Sequence, residues 1–144
     1  MIGADVLDLI DRNKPLQKPI IGIVKAGYDY YAEQNILGYE DVTDQEYMQG
    51  DYFLQVSGDS MTGSGIFDGS LVYVQSCQQV QDGEVAVVII NGDEGTIKKI
   101  RMKNNMLILE ASNPAVETRV YSAQEVQELP IQIIGKVLYC KNTF

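Results

Sequence analysis

The chain contains no histidine. That absence excludes a Ser–His–Asp triad, a Cys–His dyad and any zinc site built on imidazole. Cysteine is nearly as scarce: Cys77 and Cys140 stand far apart and in no CxxC pattern. They make a poor metal site, no cofactor is expected, and without a secretory leader free thiols are expected rather than a disulfide. Long apolar runs are missing too. The longest, Val85 to Ile90, falls far short of the roughly 20 residues a membrane-spanning helix needs. The first residues, MIGADVLDLIDRNK, carry acids inside their apolar stretch, unlike a secretory signal. A cytoplasmic protein is expected.

Positive charge is short as well. The net charge is −9, and it is uneven: residues 1–26 sum to +1 and the remaining 118 to −10. A surface that acidic repels a phosphate backbone, so this chain alone is not expected to bind DNA. What is present is a globular composition, 45% hydrophobic over 144 residues, enough for one domain with a core. There is no internal repeat and no low-complexity segment.

Periodicity points to a β-rich domain behind an arm. Val6, Leu7, Leu9 and Ile10 have the spacing of a short amphipathic helix. Asn13 to Pro19 reads as linker, with Pro15 and Pro19 blocking helix. Strands follow at 20–24, 52–56, 71–74, 85–90, 96–102, 106–109 and 131–139, with turn clusters at Asn91–Gly95 and Lys103–Asn105. The last of these strands is apolar on both faces, and an open edge of that kind is normally covered. An all-β architecture of twisted antiparallel sheets is expected, with a flexible arm of about twenty residues in front.

Two residues carry candidate chemistry. Ser60 lies in Ser57-Gly58-Asp59-Ser60-Met61, after a strand and before Gly63, Gly65 and Gly69. Serines in such loops commonly do no more than turn the chain, but the loop can also present a hydroxyl and aim backbone N–H groups at an oxyanion. Without histidine, the base for such a serine would be a lysine kept neutral by burial. The strand Thr96 to Lys103 offers one. Alternation puts Ile97, Lys99, Arg101 and Lys103 on a face that meets water, and Thr96, Lys98, Ile100 and Met102 on the other. Lys98 is the one cation on the apolar face. On pattern alone a lysine snorkelling from a half-exposed face comes first; the pairing with Ser60 raises the alternative of a base.

Three ordered stretches carry a wider likeness. Ser57-Gly58-Asp59-Ser60-Met61 with Gly65-Ile66-Phe67-Asp68-Gly69-Ser70-Leu71-Val72-Tyr73-Val74, then Gly83-Glu84-Val85-Ala86-Val87-Val88, then Gly95-Thr96-Ile97-Lys98-Lys99 resemble the LexA, phage-repressor and UmuD peptidases over roughly residues 20–140. The resemblance implies Ser60 as nucleophile, Lys98 as general base, and Asp59 and Met61 as flanking members of the nucleophile loop. It also implies self-cleavage ahead of the domain. Ile23-Val24-Lys25-Ala26-Gly27-Tyr28 matches such a site, with Ala26–Gly27 as the scissile bond. Small residues there let the backbone approach a serine closely, and Ile23 and Val24 would anchor the segment as an added strand.

The division implied is an arm or linker remnant at 1–19 and a peptidase and dimerisation domain at 20–144 that contains the cleavage segment 20–28. A homodimer through the C-terminal strand is expected, with a RecA–single-stranded-DNA filament or a phage antirepressor regulating cleavage. DNA would be reached only through a helix-turn-helix domain, which residues 1–19 are too short to hold. The function implied is the regulatory half of a LexA- or phage-type transcriptional repressor, inactivated by its own cut in an SOS response to DNA damage or in prophage induction. A UmuD-like accessory protein of an error-prone polymerase and a catalytically silent dimerisation module are the alternatives. The Ala-Gly pair favours the repressor, since the UmuD type more often has Cys-Gly.

Overall fold

A computed structural model describes residues 15–24, 31–58 and 61–141. Its elements are β1 (Leu16–Ile21), β2 (Ile36–Val42), α1 (Asp44–Gln49), β3 (Tyr52–Gln55), β4 (Leu71–Ser76), β5 (Val85–Ile90), β6 (Thr96–Lys103), β7 (Met106–Glu110), β8 (Arg119–Ser122), α2 (Ala123–Glu128) and β9 (Ile131–Lys141). The nine strands form one sheet in the order β2-β1-β3-β4-β9-β5-β6-β7-β8. Every pairing is antiparallel except β1 with β3. The architecture is therefore the β-rich one that the periodicity predicts. The expected helix at Val6 to Ile10 lies outside the described residues.

Turn chemistry fixes the registers. β6 and β7 are joined by Asn104-Asn105, both in the left-handed region at φ 53° and 59°, and Lys103 stands opposite Met106. This is the two-residue hairpin whose twist suits paired strands, with asparagine tolerating the positive φ. Each helix has six residues and opens with a capping box: Thr43 with Glu46 for α1, Ser122 with Glu125 for α2. The reciprocal bonds satisfy backbone N–H groups that a short helix would otherwise leave open.

Two expectations need correction. Leu16 to Pro19 are not linker: they open β1 and pair with Val42 to Tyr39. Proline stops a helix, but a strand accommodates it where one flank is open, and β1 meets β3 only at Ile20 and Ile21. The last strand, in turn, is not an edge. β9 pairs with β5 along Ile131 to Lys136 and with β4 along Gly135 to Lys141, so it bridges the two halves of the sheet and has both neighbours at once only at Gly135 and Lys136.

Three buried clusters follow. One collects Ile21, Val24, Tyr52, Leu54, Met61, Val72, Val87 and Ile97. A second, around Ala86, Val88, Ile100, Leu109 and Tyr121, is packed by α2 residues including Val126. The third stacks Phe53 on Tyr73, ring centroids 4.5 Å apart, beside Tyr139. Both cysteines are free thiols. No helix among the described residues is long and apolar enough to cross a membrane.

Candidate active site

The first buried cluster opens into a cleft with three walls. Gly22, Ile23 and Val24 form one, Leu54 to Ser57 with Met61 the second, and Glu94 to Ile97 the third. The cleft thus gathers the start of the expected cleavage segment, the loop expected to carry the nucleophile, and the strand expected to carry the base. Ser60, Asp59, Ala26 and Gly27 lie outside the described residues. Met61 and Lys98 lie within them.

The loop after β3 is closed at its base by Val56 N–H to the Ser70 carbonyl at 2.8 Å and Gly69 N–H to the Val56 carbonyl at 2.7 Å. Its apolar anchor is Met61, 2% exposed. Polar ties reach Ser112, beyond the end of β7: Ser64 Oγ lies 2.8 Å from Ser112 Oγ, which donates to Met61 Sδ at 3.7 Å. Gly63 lies so close to this stretch that a Cβ on it would come within 1.9 Å of the Ser112 carbonyl oxygen. β7 ends at Glu110, in register with Lys99, so the chain that holds the loop is the continuation of the strand beside the lysine pair. Nothing in the sequence pattern singles out Ser112; it acts through a contact 48 residues from Ser64. Gly65 and Gly69 do not supply oxyanion donors, because their N–H groups are bound inside the loop, to the Thr62 and Val56 carbonyls.

Lys98 sits on β6 opposite Ala86, which is fully buried. It is half-buried, and its Nζ donates to Thr96 Oγ1 at 3.3 Å. Since Thr96 lines the cleft, the amine reaches the cleft wall along its own strand. Desolvation, and then the positive charge of Arg119 on β8, push its pKa below the ordinary lysine value. Both causes favour the neutral amine, the form that accepts a proton.

The environment of β6 differs from simple alternation in two places. Met102, expected beside Lys98 on the apolar face, is 58% exposed, and Ile97, expected in the solvent row, is 6% exposed. The sheet runs past its cover at Met102. At Ile97 the opposite face is covered by Val24 and Met61 of the same cluster, a tertiary contact that alternation does not register.

The cleavage segment enters the cleft through a residue with no sequence signal, Asn35. It is 5% exposed and ends a short 3-10 turn, Glu33–Asn35. Its side chain and backbone both face the segment. Among the described residues, no group of three histidine, cysteine, aspartate or glutamate side chains is placed to hold a metal. Residues 19–138 match the model of the family described as Peptidase S24-like.

Proposed function

We propose, for a chain that belongs to the Peptidase S24-like family, the family of the LexA, UmuD and phage-repressor C-terminal peptidase domains, that it cuts its own Ala26–Gly27 bond. Ser60 is the nucleophile and Lys98 the general base. The observation that carries this reading is the state of Lys98: half-buried and shifted toward the neutral amine, on a strand whose Thr96 and Ile97 line the cleft that also holds Gly22 to Val24 and the loop residues Ser57 and Met61. A neutral lysine takes the serine proton as the oxygen attacks the Ala26 carbonyl, and returns it to the departing Gly27 nitrogen. Water then releases the acyl group from Ser60.

In this reading the domain is the regulatory half of a transcriptional repressor, and the cut separates it from a DNA-binding domain. The strongly acidic charge of residues 27–144 suits a part that does not itself touch DNA. A RecA–single-stranded-DNA filament or an antirepressor protein promotes cleavage by shifting the segment toward its docked state, without donating catalytic groups. The domain forms a homodimer in the β9 region. Its apolar side chains, among them the half-buried Ile133, Ile134 and Leu138, supply that contact.

The test is mass spectrometry of the purified chain after incubation at alkaline pH. Fragments of 26 and 118 residues are expected, and a product ending elsewhere would remove the assignment of the bond.

A further inference from the structure

The segment that leads into the proposed scissile bond is gripped from two sides. On one side stands Asn35. Its Oδ1 accepts the Ile23 N–H at 3.0 Å, and its Nδ2 donates to the Ile23 carbonyl at 2.7 Å. Its backbone carbonyl accepts the Gly22 N–H at 3.2 Å. One side-chain amide therefore satisfies both backbone groups of a residue, as a neighbouring strand would. With the segment in place Asn35 is 5% exposed. On the other side, Gly95 N–H donates to the Val24 carbonyl. The approach is close enough that a Cβ on Gly95 would lie 3.0 Å from that oxygen and 3.1 Å from Val87 Cγ1. Between the two grips the Val24 side chain is 2% exposed and packs in the cluster of Met61 and Ile97.

The structure assigns Asn35 as a positioning residue for self-cleavage, reading the backbone of Ile23 and setting the depth at which the chain enters the cleft, with Gly95 as the opposing backbone contact. This rests on the peptidase reading given above. The grip on Ile23 is made to backbone atoms only, and Ile23 is 37% exposed, so Asn35 fixes register without selecting a side chain. Selection by size falls to the buried Val24, two residues ahead of Ala26. The contacts described for Asn35 on the segment are with Gly22 and Ile23. Asn35 acts through the geometry of the segment, and a displacement of the order of 1 Å is enough to lower a rate steeply.

Trypsin supplies a readout independent of the chain's own chemistry. Lys14 and Lys18 precede prolines, so Lys25 is the only lysine or arginine open to trypsin between Arg12 and Lys98. In full-length chain carrying Ser60→Ala, cutting after Lys25 is measured beside the thermal midpoint. Asn35→Asp keeps an acceptor for the Ile23 N–H but turns a charged oxygen toward the Ile23 carbonyl. It is expected to speed cutting after Lys25 about tenfold, and to slow self-cleavage of the otherwise native chain by about ten- to thirtyfold. Ile23→Pro deletes one hydrogen bond from the segment side, at an exposed position, and is expected to give about a third of that effect. It carries the test if Asn35→Asp fails to fold.

An unchanged rate after Lys25 in the folded variants overturns the inference. So does a rise matched at Lys98 and Arg119, which would be global loosening. The peptidase reading fails separately, if Ser60→Ala leaves the cut at Ala26–Gly27 intact.

Discussion

The amine of Lys98 lies 3.3 Å from the hydroxyl of Thr96, two residues back on the same face of β6. Thr96 in turn lines the cleft, and desolvation by burial is the first cause of the lowered Lys98 pKa.

The pH dependence of cleavage follows. An ordinary lysine titrates near about 10.4 and is almost wholly charged at neutrality. Burial lowers that value, so the rate should climb about tenfold per pH unit above neutrality and level off as Lys98 becomes mostly neutral. A first-order rate independent of protein concentration is expected for a cut in cis. A profile flat from pH 7 to 10 would mean another group titrates. The same shift has a stability side. Below its folded pKa, Lys98 is charged in both folded and unfolded chains, and only the folded one bears the desolvation cost. That cost is relieved as pH rises from the folded pKa to the unfolded one. Lys98→Met should therefore raise the thermal midpoint at pH 7 and lose its advantage near pH 11.

The register of β6 separates its two adjacent lysines. Ser60→Ala and Lys98→Ala should each reduce cleavage at least a thousandfold, to the limit of detection, as losses of a nucleophile or its base do. Lys99→Ala, on the face registered against Glu110, should stay within about threefold of the native rate. Gel densitometry over a day decides it; a dead Lys99→Ala would shift the strand by one residue.

Gly63 reports on the tie between the loop and Ser112. Alanine there needs room that the Ser112 carbonyl occupies, so the loop must move. Gly63→Ala should cost about 1–3 kcal/mol, as overpacking does, and slow cleavage at least a hundredfold while the β-rich circular dichroism spectrum persists. Native cleavage in this variant would show that the loop can move without disturbing the nucleophile.

Away from the cleft, Glu46 accepts a short hydrogen bond from Tyr139 and another from its own N-cap, Thr43 N–H, at 2.9 Å. The Tyr139 bond is the larger reason that its carboxyl is held below the usual carboxylate range. A depressed folded pKa contributes stability above the unfolded pKa and loses it as pH falls through the folded one. Tyr139→Phe should therefore cost about 1 kcal/mol at pH 7 and little at pH 3. Urea midpoints at the two values measure the difference.

Much of this was legible because local chemistry and global fold agree. Seven of the strands announce themselves by apolar runs between turn residues, and Asn104-Asn105 marks its hairpin outright. Lys98 stands out as the single cation on an otherwise apolar alternation. β2 was hidden because Gly38, Glu40 and Asp41 dilute its pattern on the rim of the sheet, beyond which no further strand pairs among the described residues. α1 and α2 are too short for a helical period, although Thr43-x-x-Glu46 and Ser122-x-x-Glu125 were readable as capping boxes. Asn35 and Ser112 left no local trace. Their roles depend on partners brought near by the folded sheet, and an isolated polar residue in a loop looks the same whether or not such a partner arrives.

The central place of β9 bears on when the enzyme can first act. Hydrogen bonding across the sheet is continuous only through this strand: β2, β1, β3 and β4 lie on one side of it, β5 to β8 on the other. The loop that carries Ser60 grows from the first half and Lys98 belongs to the second. The halves also touch without it, as Gly95 N–H does at the Val24 carbonyl, but the strand that bridges β4 and β5 is made after both of them. Under the proposed Ser60–Lys98 chemistry, a nascent chain is expected to gain its full rate of self-cleavage only once residues 131–141 have been added to the sheet.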